Sequence, residues 1–183
     1  ENVGVPCLPQ VLAASGARRA SVLTQLGDVE HALLSRRLVC ALLCSVPRDP
    51  AIRYKKAFKV PMVIVHPFDW KGVPMDLLEL LRERPYVAHT FLTVREELQV
   101  ESDIPPPAAQ FDQLVGTRAG VVAGLGWALL PSYAVKKQLR DGELKLWRGE
   151  VPERFEEFNL WWVPTRVKRG VALQILAEFA ARA

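Results

Sequence analysis

The apolar positions of this chain fall into short runs, and their period changes from one run to the next. Ala20–Leu26 alternates and carries Val and Thr, the pattern of a half-buried strand. Asn2–Val5 is a shorter strand candidate closed by Pro6 and Pro9, and Gln10–Ala14 follows as a brief helix. After Gly27, Asp28 reads as the N-cap of a helix running to Arg37, with Val29, Leu33 and Leu34 on one face. Leu38–Cys44 is continuously apolar, as a strand buried on both faces would be. Strand and helix therefore alternate through the first 45 residues. Such alternation predicts a parallel sheet covered by helices.

The alternation continues. Val60–Val65 is an apolar strand closed by His66 and Pro67, and Pro74–Arg82 holds an amphipathic helix stopped by Pro85. Tyr86–His89 is a short strand, and Thr93–Leu98 is at most two helical turns. Glu101–Pro107 is a Pro-rich, exposed loop. Helix is predicted over Phe111–Ala123, strand over Gly126–Leu130 and helix over Ser132–Arg140. A turn at Asp141–Gly142 leads to a strand at Leu144–Trp147, followed by a charged linker at Glu150–Glu157. Phe158–Val163 is a last strand, and Gly170–Arg182 a last amphipathic helix. The strand–helix alternation occurs twice, and a lone final helix has nothing to pack on. Two small α/β lobes are expected: residues 1–66 open the first, 67–148 form the second, and 149–183 return to complete the first.

Composition narrows the function. Half of the 183 residues are hydrophobic and 24% are charged, which excludes a disordered or fibrous chain. The longest uncharged stretch, Ala119–Val135, is broken by Gly, Ser and Pro and is too short for a membrane span. A net charge of +4 from scattered bases is no nucleic-acid footprint. Cys7, Cys40 and Cys44 have no metal-ligand spacing and fit a reduced, cytoplasmic compartment. The chain opens on Glu1 with no basic-then-apolar leader, as expected of a piece of a longer protein. Histidine occurs only at 31, 66 and 89, and no nucleophile motif is present, so no catalytic residue, metal ligand or cofactor is assigned.

Val115–Trp147 is the most distinctive segment. Gly116, Gly120 and Gly124 recur on one helix face, where each costs about 1 kcal/mol against Ala and so points to close packing. A phosphate cradle is the other use of such glycines, but neither GxGxxG nor GxxxxGK[ST] is present. Val122-Ala123-Gly124, Gly126, Leu130-Pro131 and Gly142 with Leu144 together resemble the "V.AG.G...LP" and "G.L" pattern of the effector-binding domain of LysR-type transcriptional regulators. Asp49-Pro50-Ala51-Ile52, the apolar strand up to Pro67, and Asp76-Leu77-Leu78 fit the same ordered set. The sequence departs from the family at Val39, where an Asp is usual, and at Arg36, where a Gly is usual. Val39 and the Trp161-Trp162 pair are similar to the arginine- and lysine-responsive branch.

The resemblance implies two small Rossmann-like lobes joined by two crossover segments, periplasmic-binding-protein-like. A small effector, a carboxylate or an amino acid, would bind in the cleft between them. The carboxyl ends of strands in open α/β sheets are where ligands bind, and helix N-termini there attract anions. That rule selects Pro6, Cys7 and Leu8 after the first strand and His66 at the crossover. It also selects His89, Thr90 and Phe91, then Phe111, Asp112 and Gln113 where another strand meets a helix, and Trp127. Thr90 is the best hydroxyl donor of the set; Cys7, Asp28 and Trp127 have simple structural readings as filler, cap and core. The family implies a homodimer or tetramer, and DNA contact only through an N-terminal winged helix-turn-helix outside this chain. A transporter's solute-binding protein is the alternative reading, and an enzyme of this fold a more distant one.

Overall fold

A computed structural model describes residues 28–90, 98, 104–150 and 153–165. The expected elements at Asn2–Val5, Gln10–Ala14, Ala20–Leu26 and Gly170–Arg182 lie outside these residues. So does Thr93–Leu98, apart from Leu98, which is helical and buried. In chain order the described elements are α1 (Val29–Leu34), β1 (Cys40–Leu43), β2 (Arg53–Pro67), α2 (Leu77–Glu83), β3 (Val87–His89) and β4 (Ala109–Phe111). They continue with α3 (Leu114–Val122), β5 (Ala128–Pro131), α4 (Ser132–Arg140), β6 (Leu144–Leu146) and β7 (Phe155–Trp162). The chain divides into two compact units. Pro61–Phe155 forms one; Asn2–Val60 and Glu156–Ala183 form the other.

In the unit made of the two chain ends, Asp28 caps α1 as its sequence predicts, accepting a hydrogen bond from the His31 N–H at 2.8 Å. The helix nevertheless stops three residues short of Arg37. Arg36 adopts a left-handed φ of 67°. The Arg37 N–H then reaches back to Ala32 O at 2.9 Å, and the Arg36 N–H to Leu33 O at 3.4 Å. This is the Schellman ending that glycine usually makes, here made by an arginine. Strand β1 pairs antiparallel with β7, Cys40 opposite Trp162 and Leu43 opposite Asn159. The parallel partners expected for it lie outside the described residues. Its residues are half-buried rather than fully buried. On one face, Leu33, Ile52, Trp161 and Val163 form a core; on the other, Leu160 and Trp162 pack with Cys40 and Ala57.

Strand β2 is much longer than the predicted Val60–Val65. Its added residues, 53–59, are rich in lysine and gain their partners from β7. Lys56 and Lys59 reach the Glu157 carboxylate at 2.6 and 3.6 Å, and Phe58 stacks on Phe158 at 4.9 Å between centroids. Strand β7 also takes Phe155–Glu157 from the expected linker, for the same cross-strand reason.

The Pro61–Phe155 unit holds one run of strands. β3 and β4 are parallel, Val87 opposite Ala109 and His89 opposite Phe111. A parallel bridge between Tyr86 and Trp127 carries the ladder to β5. β5 is antiparallel to β2, which is antiparallel to β6. The order is therefore β4-β3-β5-β2-β6. One core packs Met62, Ile64, Leu80, Leu81, Tyr86, Trp127, Leu129 and Trp147; a second packs Val65, Val87, Val121, Ala128, Leu130, Val135 and Leu144. Helix α2 is capped by Asp76, which accepts from the Leu78 and Glu79 N–H groups at 2.9 and 3.0 Å. Helix α3 ends at Gly124 (φ 84°) and α4 at Gly142 (φ 72°), both in Schellman turns.

The glycines of α3 serve a side chain rather than another backbone. A Cβ on Gly116 would lie 2.8 Å from Phe111 Cδ1, and one on Gly120 would lie 3.0 Å from Phe111 Cε2. Phe111 itself sits in β4, so the helix starts three residues later than predicted. Backbone approach occurs instead at Gly126, where a Cβ would lie 2.5 Å from Pro85 O.

Candidate functional site

Because β3, β4 and β5 run parallel, their carboxyl ends share one edge of the sheet. His89 and Thr90 end β3, Phe111, Asp112 and Gln113 end β4, and Pro131 ends β5. The structure thus brings together five of the residues predicted from sequence. Pro6, Cys7, Leu8 and Phe91 lie outside the described residues.

Two predicted residues belong elsewhere. β2 runs against β5, with Met62 opposite Pro131 and Val65 opposite Ala128. His66 therefore lies at the opposite edge of the sheet from Thr90, and the two cannot share a small ligand. Its ring is buried, with Nδ1 2.8 Å from Pro67 O. Trp127 immediately precedes β5 and is completely buried; its Nε1 donates to Arg84 O at 3.3 Å, and its ring lies against Tyr86. Trp127 is a core residue and presents nothing to a ligand.

At the carboxyl edge the backbone sets the geometry. The Thr90 N–H and hydroxyl both donate to Phe111 O, at 2.9 and 3.0 Å. This ties the end of β3 to the end of β4. It also corrects the role expected of Thr90: with its hydrogen on Phe111 O, the exposed hydroxyl offers acceptor lone pairs. His89 is half-buried. Burial pushes its imidazole below the usual histidine range, against a smaller upward pull from the Asp112 carboxylate. It is neutral at pH 7, with one ring nitrogen a donor and the other an acceptor.

The donors at this edge are helix starts. α3 begins after Gln113 and α4 after Pro131, and neither receives a side-chain cap. The first N–H groups of a helix have no intrahelical partner, and the aligned peptide dipoles make that end positive. Arg118, half-buried on α3, donates Nη1 to Ala134 O at 2.8 Å and so places a cation beside the first turn of α4. Within α3, the Thr117 hydroxyl bonds back to Gln113 O at 3.3 Å. An anion is the chemical group that these features suit. The sequence placed the start of α4 correctly at Ser132, but it was not selected for the site because Pro131 offers no side-chain cap or other polar group. Its signal was the strand–Leu-Pro–helix juncture at Leu130–Ser132.

Among the described residues no cluster of His, Cys, Asp and Glu is arranged to hold a metal ion. The two described cysteines, Cys40 and Cys44, are free. The Cys44 thiol donates to the Glu156 carboxylate at 3.2 Å and its pKa is raised, by packing around the sulfur first and by Glu156 second. It is a poor nucleophile for that reason. No described helix is long and apolar enough to cross a membrane.

Known proteins bear on this geometry at two levels. The sequence model of the LysR substrate binding domain matches residues 3–182. No curated protein matches the sequence. Among solved structures, the regulatory domain of CrgA, a LysR-type transcriptional regulator from Neisseria meningitidis, is 16% identical. It superposes with a TM-score of 0.72 over 98% of this chain and 93% of that one. The regulatory domain of MetR, a LysR family regulator from the same organism, gives 13% identity and a TM-score of 0.71, covering 97% of this chain and 86% of that one. Full-length AphB, a virulence activator from Vibrio cholerae, gives 13% identity and a TM-score of 0.69, with 99% of this chain covering 64% of that protein. At these identities the structures speak to the fold.

Proposed function

The chain belongs to the LysR substrate binding domain family, and from that premise we propose that it senses a small anionic effector, a carboxylate or an amino acid bound through its carboxylate. The observation that carries the ligand class is the pair of uncapped helix starts, α3 and α4, at one edge of a sheet. The helices elsewhere, α1 and α2, have aspartate caps. A carboxylate at that edge would accept from backbone N–H groups. Neutral His89 would supply a further polar contact, and Gln113 an amide. The Thr90 hydroxyl, as an acceptor, suits the ammonium of an amino acid better than a carboxylate.

The rest of the reading follows the family. The domain is non-enzymatic and works in the cytoplasm as a homodimer or tetramer. Its DNA contacts are made by a winged helix-turn-helix elsewhere in the full-length regulator. The effector acts by binding one arrangement of the domain more tightly than another. A thermal-shift screen against amino acids, including arginine and lysine, and aliphatic and aromatic carboxylates tests it. Ligand at about 100 times its Kd stabilises by about 2.7 kcal/mol. For a domain of this size that raises Tm by roughly 5–10 °C. A shift with one carboxylate class is the expected result. Shifts confined to neutral or cationic compounds, or none at all, would overturn the anion assignment.

A further inference from the structure

The edge of the Pro61–Phe155 sheet opposite the candidate effector site carries an arrangement that effector binding does not use. His66, at the end of β2, is buried, and its ring lies nearly parallel to that of Trp70, 15° apart with centroids 6.1 Å distant. The Arg84 guanidinium sits 5.3 Å from the Trp70 ring centroid. The same guanidinium donates from Nη2 to Lys71 O at 3.0 Å and Gly72 O at 3.2 Å. Residues 68–76 are thus tied down by one arginine that is itself stacked on the tryptophan beside His66. Further bonds run from the Phe68 N–H to Glu143 O, from the Trp70 N–H to Pro67 O, and from Trp147 Nε1 to Pro74 O.

The charges around His66 have one sign. Lys145 of β6 lies directly across the ladder from it, and Arg84 follows α2. Asp69 and Lys71 of the loop are exposed, as is Glu143, which meets the loop through its backbone. With Nδ1 against Pro67 O, a second proton must enter at Nε2. It would add a third cation to a buried group whose charged neighbours are Lys145 and Arg84.

We propose that His66, Trp70 and Arg84 form a proton-operated latch, closed over residues 68–76 at neutral pH and released in acid. The inference stands apart from the effector assignment and would survive its failure. Its electrostatic direction agrees with the geometry: burial lowers the His66 pKa first, and Lys145 and Arg84 lower it further, against the Pro67 carbonyl. A base held below its unfolded value near 6.5 contributes stability above that pH. The contribution is lost as pH falls below it.

Hydrogen exchange on the 183-residue chain between pH 7.5 and 5 tests the latch. Protection factors of the Phe68 and Trp70 amides should fall by up to about tenfold per pH unit below about 6.5. In His66→Gln they should stay level. Constant protection in the parent chain, or the same fall in His66→Gln, would overturn the proposal. Should His66→Gln not fold, Lys145→Gln decides, because that side chain is exposed. Removing one facing cation should bring His66 closer to its unfolded value, so the fall should end at a higher pH and be smaller in total, and a fall of unchanged extent would overturn the latch.

Discussion

The two edges of the Pro61–Phe155 sheet are built on opposite principles. At the edge holding His66, polar groups are matched within the chain: Trp127 Nε1 with Arg84 O, Trp147 Nε1 with Pro74 O, and the Arg84 guanidinium with two loop carbonyls. At the other edge two helices begin without a side-chain cap, and the exposed Thr90 hydroxyl turns its lone pairs outward. The closed edge contributes stability. The open edge lacks side-chain caps at both helix starts, and a ligand acceptor there would take the place of such a cap. The comparison teaches that helix starts without a side-chain cap, more than any one side chain, distinguish the proposed binding edge from the other.

The largest expected effect lies on the closed side. Trp127 is wholly buried between Tyr86 and the Met62–Leu129 core, and its one polar atom is bonded. Trp127→Ala should cost about 3–5 kcal/mol, the range for deleting a large buried aromatic. Urea denaturation would measure it. A loss below about 1 kcal/mol would mean that this edge is not where stability resides.

A smaller effect is expected where the edges meet the packing between them. Gly116→Ala places a Cβ 2.8 Å from Phe111 Cδ1 and 3.1 Å from its Cβ, atoms too near the backbone to swing away. Overpacking of this kind costs about 1–3 kcal/mol, against about 1 kcal/mol of helix propensity gained. The net loss should be about 1 kcal/mol. Adding Phe111→Leu should reduce the cost of the alanine, because the ring that it strikes is gone. Additive costs for the two changes would show that Phe111 and Gly116 do not share one space.

These residues also show what the sequence made legible. Three helices end in the same Schellman turn. Gly124 and Gly142 announced two of those ends; Arg36 concealed the third, because no rule of residue type expects an arginine at positive φ. Asp28 was read correctly as a cap, since capping is settled within four residues of chain. The polar half of β2 was missed because its partners, Glu157 and Phe158, stand about a hundred residues away. The site divides in the same manner. The ends of β3 and β4 could be placed from sequence as strand-to-helix junctures. The sorting of His66 to the opposite edge depends on β2 running antiparallel to β5, a fact of pairing that no local pattern carries. Thr90 was selected as a hydroxyl donor for a ligand, but its hydrogen goes to Phe111 O, a bond between two strands that sequence does not reveal.

The smallest change in stability should carry the sharpest change in binding. Gln113 is the N-cap of α3 in extended backbone (φ −130°, ψ 139°), the conformation from which a short acceptor side chain reaches the first-turn N–H groups. Gln113→Asp gives α3 the cap that Asp28 and Asp76 give α1 and α2. The helix should gain about 1 kcal/mol, raising Tm by roughly 2–4 °C. The same carboxylate would occupy the donors that an anionic effector needs and would repel it. The variant should therefore be more stable when free and less stabilised by whichever carboxylate shifts the parent chain. Both halves are read from one pair of melting curves, with and without that compound. Greater stability with undiminished binding would place the anion at α4 and Arg118 instead. Unchanged stability would mean that the start of α3 already has its acceptor, and the contrast between the two edges would lose its basis there.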